Sequence, residues 1–475
     1  MDVHDKHKHS LATECYQCGN EFSEKQFKVA DHDHVTGRYR GAACTQCNWK
    51  MRLTRTTLPV VFHNLRGYDM HGLCTTALGK MKDWELYPIA QTKEKYMALY
   101  ASFPVDKEKE KTVMMKLQFI DSFQHLGISL ERLVGMMQYE DMHLTRDCGL
   151  PEGVIKRKGI FPYSYFDSID RLEETTLPPR EAFRNSLTGE LISEEDYKTA
   201  LEAWDLLDCK TFGEYMLNYL MMDVHQLADV FEYYRKVTMQ KDGIDPAHYI
   251  SLPQLSLDSA LKMTSVKAQL IVDESLYRTI EHGIRGGMTF VNRLLVEAEM
   301  GVDMLYVDAN NLYGNALSQK LPYGGWRELT REEIESMDPA TMDLDGDKGY
   351  LFVVDLNYPP HVQDASVDLP YAPQRMTVTK EMLTEEMKAQ WEHVCQVRYG
   401  KEKPYRGYPK LVLDQFVKEE YVIHGKLLQF FLEQGMVITK IHTAYQFDQA
   451  AIFEPYITYN SRRRQEATND FHKEF

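Results

Sequence analysis

No stretch of the chain is apolar for long enough to cross a bilayer, and the opening Met1-Asp-Val-His-Asp-Lys-His-Lys-His9 lacks a secretion-signal pattern. Internal repeats and low-complexity tracts are missing too. Cysteine is sparse: of eight in 475 residues, Cys74, Cys148, Cys209 and Cys395 are scattered at no framework spacing. These absences argue against a membrane protein and a disulfide-stapled one. They point to a reducing intracellular compartment, nucleus or cytoplasm. Positive charge is also short. A net charge of −16 excludes a uniformly basic nucleic-acid coat, but it leaves room for a local basic channel and for metal-binding carboxylates. Core material is plentiful: hydrophobic residues make up 43% of the chain, enough for two to four packed domains at this length.

The other four cysteines are organised. Cys15-Tyr-Gln-Cys18 and Cys44-Thr-Gln-Cys47 bracket the run Asp31-His32-Asp33-His34, and Asn48 follows directly. Two such knuckles offer the four thiolates of a closed structural zinc site. So short a module buries little apolar surface, and a metal can substitute for a core. The run between the knuckles adds hard oxygen ligands for a second, catalytic cation and imidazoles that can take a proton from water. A zinc ribbon with histidines on its surface is the alternative.

Further along, Leu58-Pro-Val-Val-Phe-His-Asn-Leu65 reads as a buried strand, and Tyr68-Asp-Met-His-Gly-Leu73 opens a helix. Met114–Ser122 reads as a second strand with a helix from Ser129 behind it, and a long helix runs from about Thr211 to Met239. This alternation favours an α/β arrangement over residues 58–245. Met304-Leu-Tyr-Val-Asp308 reads as a strand turning into a helix near Asn311. Residues 327–348 are acidic and loop-prone, and Gly349-Tyr-Leu-Phe-Val-Val-Asp-Leu356 resumes strand character.

Within the long helix, Met216, Tyr219, Leu220, Leu227, Val230 and Phe231 form an apolar stripe, and Asp223 falls on it four residues after Tyr219. An inward carboxylate needs neutralising, either by a metal or by a buried salt bridge or cap. Asp69, just past a strand beside a glycine turn, presents the same choice. Two carboxylates from different elements could converge on divalent ions and activate water.

Asp31-His-Asp-His34-Val-Thr-Gly37-Arg38-Tyr-Arg40-Gly-Ala-Ala-Cys44-Thr-Gln-Cys47-Asn48 resembles the core of the endonuclease VII group of His-Me finger nucleases. The resemblance implies Asp31 and Asn48 as ligands of one divalent ion, His32 as general base and His34 near the scissile phosphate. Arg38 and Arg40 would contact phosphates. Phe62-His-Asn64-Leu-Arg-Gly-Tyr68-Asp69-Met-His71 resembles the second exonuclease motif of protein-primed family B DNA polymerases, and Tyr219-Leu-Met-Met-Asp223 the third. Phe119–Val134 and Gly283-Ile-Arg285-Gly286-Gly287 are similar to further segments of that group. Tyr306-Val-Asp308-Ala-Asn-Asn-Leu312-Tyr313-Gly314 resembles its polymerase motif A. This resemblance implies metal binding by Asp69, Asp223 and Asp308, with Tyr219 as an exonuclease residue. Leu312 and Tyr313 would lie at the nucleotide, and Asn64, Arg285, Gly286 and Gly287 at DNA.

The resulting layout is a zinc-bound His-Me finger module at 1–57 and an RNase H-like exonuclease domain at 58–245. A partial palm follows: its entry with motif A at 246–320, an insertion resembling the terminal-protein region at 321–404, and further palm with the start of the fingers at 405–475. Zinc is structural in this layout, and magnesium or manganese catalytic. The partners are DNA, deoxynucleoside triphosphates and a terminal-protein primer. Three family elements have no counterpart in the chain: the Asp-x-Glu first exonuclease motif, motif B with its lysine, and motif C with the second metal-binding aspartate. The expectation is therefore a polymerase segment of a viral or transposable element, unable to polymerise alone. A self-sufficient DNA nuclease and a non-catalytic DNA-binding remnant are the alternatives.

Overall fold

A short helix, α1 (Val3–Leu11), opens the structure, a computed structural model that describes residues 3–32, 37–50, 57–92, 94–106, 113–155, 157–186, 188–287, 289, 295–407 and 409–474. Helices and sheets mix throughout, and the chain divides into two units, Met1–Ala260 with Arg462–Phe475, and Leu261–Ser461.

In the first unit β1 (Lys28–His32) pairs antiparallel with β2 (Tyr39–Cys44), and α2 (Thr45–Lys50) follows at once. Their apolar cluster is little more than Cys15, Ala43 and Cys44, flanked by Phe22, Val29 and Cys47. That is too small a core to hold three elements on its own.

The larger part of this unit is built on a four-stranded sheet. It takes β3 (Thr57–Phe62), then α3 (Asp69–Gly72), β4 (Glu85–Ala90), β5 (Tyr96–Asp106) and β6 (Val113–Asp121), in the order β3-β6-β5-β4. Only β3 and β6 run parallel. The strand–helix alternation read from the sequence resolves into a mixed sheet, since β4, β5 and β6 pair antiparallel in succession and need no crossover helix.

The Leu130–Met136 helix behind the sheet starts where Ser129 Oγ accepts the Arg132 N–H, and the long Phe212–Asp242 helix where Thr211 accepts from Glu214. Gly243, at φ 63°, ends the long helix in the left-handed conformation a side chain would resist. Leu126, Leu133, Val134, Val230 and Phe231 bury together with Ile120 of β6. The buried face of the long helix runs through Phe212, Tyr215, Tyr219, Met222, Gln226, Val230 and Tyr234. This corrects the stripe drawn from sequence: Leu220 is 48% exposed, and Met222 takes the inner position. Leu220 lies about 100° around the helix from Tyr219, so it cannot share the inner line.

The second unit carries an antiparallel sheet, from β7 (Leu321–Glu328) and β8 (Lys348–Asn357), through the small pair β9 (Gln374–Thr377) and β10 (Pro409–Val412), to β11 (Lys418–His424) and β12 (Val437–Ala450). The four long strands lie in the order β11-β8-β12-β7 over a core of Phe352, Val354, Leu356, Ile423, Leu428 and Phe431. Residues 327–348 are largely the loop their composition suggests, irregular over 337–347, but they also hold a short helix. Thr330 and Glu333 form a capping box that starts a helix at Arg331–Ser336. The strand expected at Met304–Asp308 is also corrected. Among the described residues this segment has no ladder partner, and Leu305, Tyr306 and Val307 are 82–99% exposed. A β-rich sequence becomes a strand only where a neighbour supplies hydrogen bonds. The helix after it does form, at Leu312–Leu317.

The loop before β11 is closed by a charge. Lys418, fully buried, donates to Asp414 Oδ1 at 2.6 Å and to the Asp414 carbonyl at 3.0 Å, while Gln374 and the Phe416 N–H also donate to that carboxylate. Burial pulls the Lys418 ammonium below its usual pKa, and Asp414 opposes the shift. Asp414→Ala would strand this cation without a partner. A loss of about 3–5 kcal/mol is expected, read by chemical denaturation as a lower midpoint for the second unit.

Candidate functional site

Four sulfurs converge in the first module. Those of Cys15, Cys18, Cys44 and Cys47 lie within 4.8 Å of one another. A tetrahedral site with zinc–sulfur bonds of about 2.3 Å has ligand separations of about 3.8 Å, so the cluster fits a single ion. The Cys47 N–H points at Cys44 Sγ at 3.4 Å, a backbone donor that stabilises thiolate. Burial pushes the Cys15 thiol up, but backbone N–H groups of Cys44, Cys18 and Gln17 more than reverse it. Cys47 is driven up by burial and by the neighbouring sulfurs. Such mutual repulsion is what a bound cation would remove.

Asp31, next to last in β1, is almost wholly buried, with both oxygens engaged. Arg40 grips it through Nε and Nη2, each at 2.9 Å, and Tyr16 adds its hydroxyl. Burial raises its carboxyl, but Arg40 and Tyr16 outweigh that and hold it below the ordinary range. As arranged, both Asp31 oxygens are engaged by Arg40, so a cation at Asp31 would have to compete with that guanidinium. His32 is exposed at a bulge, its Nδ1 3.2 Å from the Ala30 carbonyl, and Asn48 is half-buried on α2. Arg38 is exposed, and His34 lies outside the described residues.

At the ends of β3 and β6 a buried aspartate organises a turn. Asp121 accepts the N–H groups of Asn64 at 2.7 Å, Phe123 at 3.0 Å and Arg66 at 3.1 Å. Asn64 takes a left-handed conformation (φ 66°) within this grip. His63 bonds Ser122 at 2.9 Å and the Ile128 carbonyl at 3.0 Å, fixing the same corner. Asp69 lies just beyond it, exposed at the start of α3, and no hydrogen bond or ion pair joins it to Asp223. Sequence reasoning missed the part played by Asp121; its position at a strand end opposite a glycine-containing turn was the available signal.

Asp223 is the most informative carboxylate. It lies beside Tyr219 on the long helix, and Lys158 stands 3.5 Å from its Oδ2. Its Oδ1 is buried without a hydrogen-bond partner. Burial raises the Asp223 pKa above its ordinary value despite Lys158. Lys158 also donates to the Tyr219 hydroxyl at 3.1 Å, and Tyr163 meets that hydroxyl at 2.5 Å. Gly159 lets the Lys158 segment lie flat on the helix, because a Cβ there would strike Met222 and Tyr219. Lys158 and Tyr163 are the functional candidates that sequence reasoning overlooked. A buried carboxylate with a bare oxygen beside an ammonium fits a divalent cation by its donor chemistry.

In the second unit Asp308, Leu312 and Tyr313 are all exposed, the last at 86%. Asn311, left-handed at φ 53°, turns the chain into the short helix. Arg285 is folded inward: its guanidinium sits 3.8 Å over the Tyr421 ring and donates to the Val422 carbonyl at 2.7 Å. A phosphate would have to compete with both contacts. Gly286 and Gly287 are exposed next to it.

Comparison with known proteins gives two family matches. Residues 4–59 match recombination endonuclease VII, and residues 50–393 match DNA polymerase type B, organellar and viral. No curated protein matches the chain. Among solved structures, Phi29 DNA polymerase in an orthorhombic crystal form is 11% identical at a TM-score of 0.44, covering 94% of this chain and 65% of that one. The same polymerase with primer-template DNA is 12% identical at 0.45, covering 93% and 61%. With primer-template and incoming nucleotide it is 11% identical at 0.45, covering 94% and 64%. The chain thus spans less than two thirds of the length of these polymerases. The second family match runs through most of the chain, and on that ground this protein belongs to the type B DNA polymerases of organelles and viruses.

Proposed function

We propose that this chain works in the DNA replication of a viral or transposable element as a protein-primed DNA polymerase with 3′→5′ exonuclease elements. The observation that carries the reading is the buried, bare oxygen of Asp223 beside Lys158, inside the stretch that matches the polymerase family. In this reading residues 58–245 are an RNase H-like exonuclease domain. Asp223 holds negative charge at a dry site, Lys158 offsets the charge on the phosphate, and Tyr219 and Tyr163 orient it by hydrogen bonds. Asp223 and Asp69 would hold a divalent ion, which would supply charge neutralisation and lower the pKa of a bound water. Asn64, on its clamped turn, contacts the strand. Asp308, Leu312 and Tyr313 serve the incoming deoxynucleoside triphosphate. A terminal protein is the proposed primer, met by residues 321–404.

The hairpin β1–β2 followed by α2 favours a second reading for the first module, a His-Me finger that cuts DNA. His32, at the exposed end of β1, is its base. The Arg40 grip on Asp31 is part of the ground state that such a nuclease must release.

Zinc is the first test. About one zinc per chain is expected, lost with unfolding of the module in Cys44→Ser, as measured by elemental analysis. Full zinc content in that variant would remove the assignment.

The exonuclease site is tested by a pair of variants. Asp223→Ala should cut 3′→5′ digestion of single strands by more than about 100-fold, while Asp308→Ala should leave that digestion unchanged; templated incorporation is not expected of a chain without counterparts of motifs B and C. Digestion indifferent to Asp223→Ala would move the exonuclease to other residues, and a chain that never engages primed DNA would end the reading.

A further inference from the structure

We infer that helix α1 carries a DNA-backbone contact surface, an exposed basic face that the zinc-type module holds rigidly beside β2. This rests on the proposed DNA-handling function and adds to it a contact site that no motif marks.

At about 100° per residue, His4, His7, Lys8 and Leu11 fall on one side of α1, and Asp5 and His9 on the other. The structure agrees with the wheel. His4, His7, Lys8 and Leu11 are exposed, as are Lys6 and Ser10, whereas Asp5 and His9 are half-buried. The single acid of the helix, Asp5, is therefore turned away from the basic face.

The helix is anchored more firmly than its length would allow by itself. Nine residues are too few for a stable isolated helix in water. Lys28 Nζ reaches up from β1 to the carbonyls of His9 at 2.9 Å, Ala12 at 2.9 Å and Ser10 at 3.1 Å. A lysine here satisfies C-terminal carbonyls and opposes the negative end of the helix dipole. On the inner face His9 Nδ1 lies 3.0 Å from the Tyr39 hydroxyl, the two rings meeting edge-on at 5.8 Å. Tyr39 stands on β2 between Arg38 and Arg40.

Among the described residues His4, His7 and Lys8 take part in no ion pair. Basic groups spaced i,i+3 and i,i+4 without acids weaken a helix that merely faces water. A fixed, unpaired basic face on a chain of net charge −16 fits a polyanion whose charges repeat along a line. The nucleic-acid backbone has that geometry, and the match of residues 4–59 to recombination endonuclease VII favours DNA over an acidic protein.

The test uses the full, zinc-loaded chain and a fluorescent DNA duplex of arbitrary sequence, with binding followed by anisotropy across a salt series. In the triple variant His4→Gln, His7→Gln, Lys8→Gln the affinity at low salt should fall at least about 10-fold. The plot of log K against log salt should flatten by about 1 unit, since Lys8 is the one lysine or arginine charge removed and each phosphate contact contributes about 0.9. Zinc content should not change. Lys25→Gln, which removes an exposed charge elsewhere on the module, should leave the slope alone, and arginine at positions 4, 7 and 8 should restore binding. If the triple variant binds with the wild-type slope, or arginine fails to rescue it, the surface assignment is wrong even though the chain handles DNA. If the wild type does not bind the duplex at all, the proposed function falls with it.

Discussion

A carboxylate withdrawn from water needs a cation or several hydrogen-bond donors, and this chain meets that demand in more than one way. Asp31 takes a bidentate arginine and a tyrosine hydroxyl. Asp121 takes three backbone N–H groups, and Asp414 takes a wholly buried lysine. Each of these closes a turn or a strand end, and an uncompensated charge there would cost several kcal/mol. Asp223 is the exception. Its lysine stands at 3.5 Å, and one of its oxygens has no partner in the described structure. Incomplete satisfaction in a well-packed interior is costly. The three closed sites serve the fold, and the open one is where a ligand brings the largest electrostatic gain.

Much of this was legible in the sequence where a local rule governs. The two Cys-x-x-Cys pairs announce a cluster because the spacing itself sets the geometry. The long helix announces its start at Thr211, while its end, read near Met239, lies at Asp242 before Gly243. β3 and β6 were visible as short apolar runs ending in polar residues. What remained hidden depends on distant residues. Lys158 reaches Asp223 across sixty-five positions of sequence, with no pattern linking the two. Arg40 reads as a phosphate ligand until β2 is seen to carry it back onto Asp31. Arg285 likewise reads as a contact to DNA, while the folded chain stacks it on Tyr421.

The segment 302–310 illustrates the same limit from the other side. Its residues suit a strand, but a strand is a relation between two segments. Among the described residues none offers a ladder to Leu305, Tyr306 or Val307. Asp308 consequently lies in solvent, where a charge–charge interaction is several-fold weaker than in a dry site. Asp308 and Asp223 thus differ in preparation rather than in kind. The fold has already desolvated Asp223, so a cation arriving there need not bring order with it.

The overall acidity of the chain sharpens this distinction. With a net charge of −16 the protein repels a polyanion at long range, and attraction must come from basic groups held at fixed places. Long side chains on mobile loops make poor anchors, because each loses rotamer entropy on contact. The cations of the first unit are instead fixed by packing: Lys158 against the Tyr219 ring, and α1 through Lys28 and Tyr39. In a chain with so large an excess of acids, rigid presentation is what would let a few cations act as a binding surface.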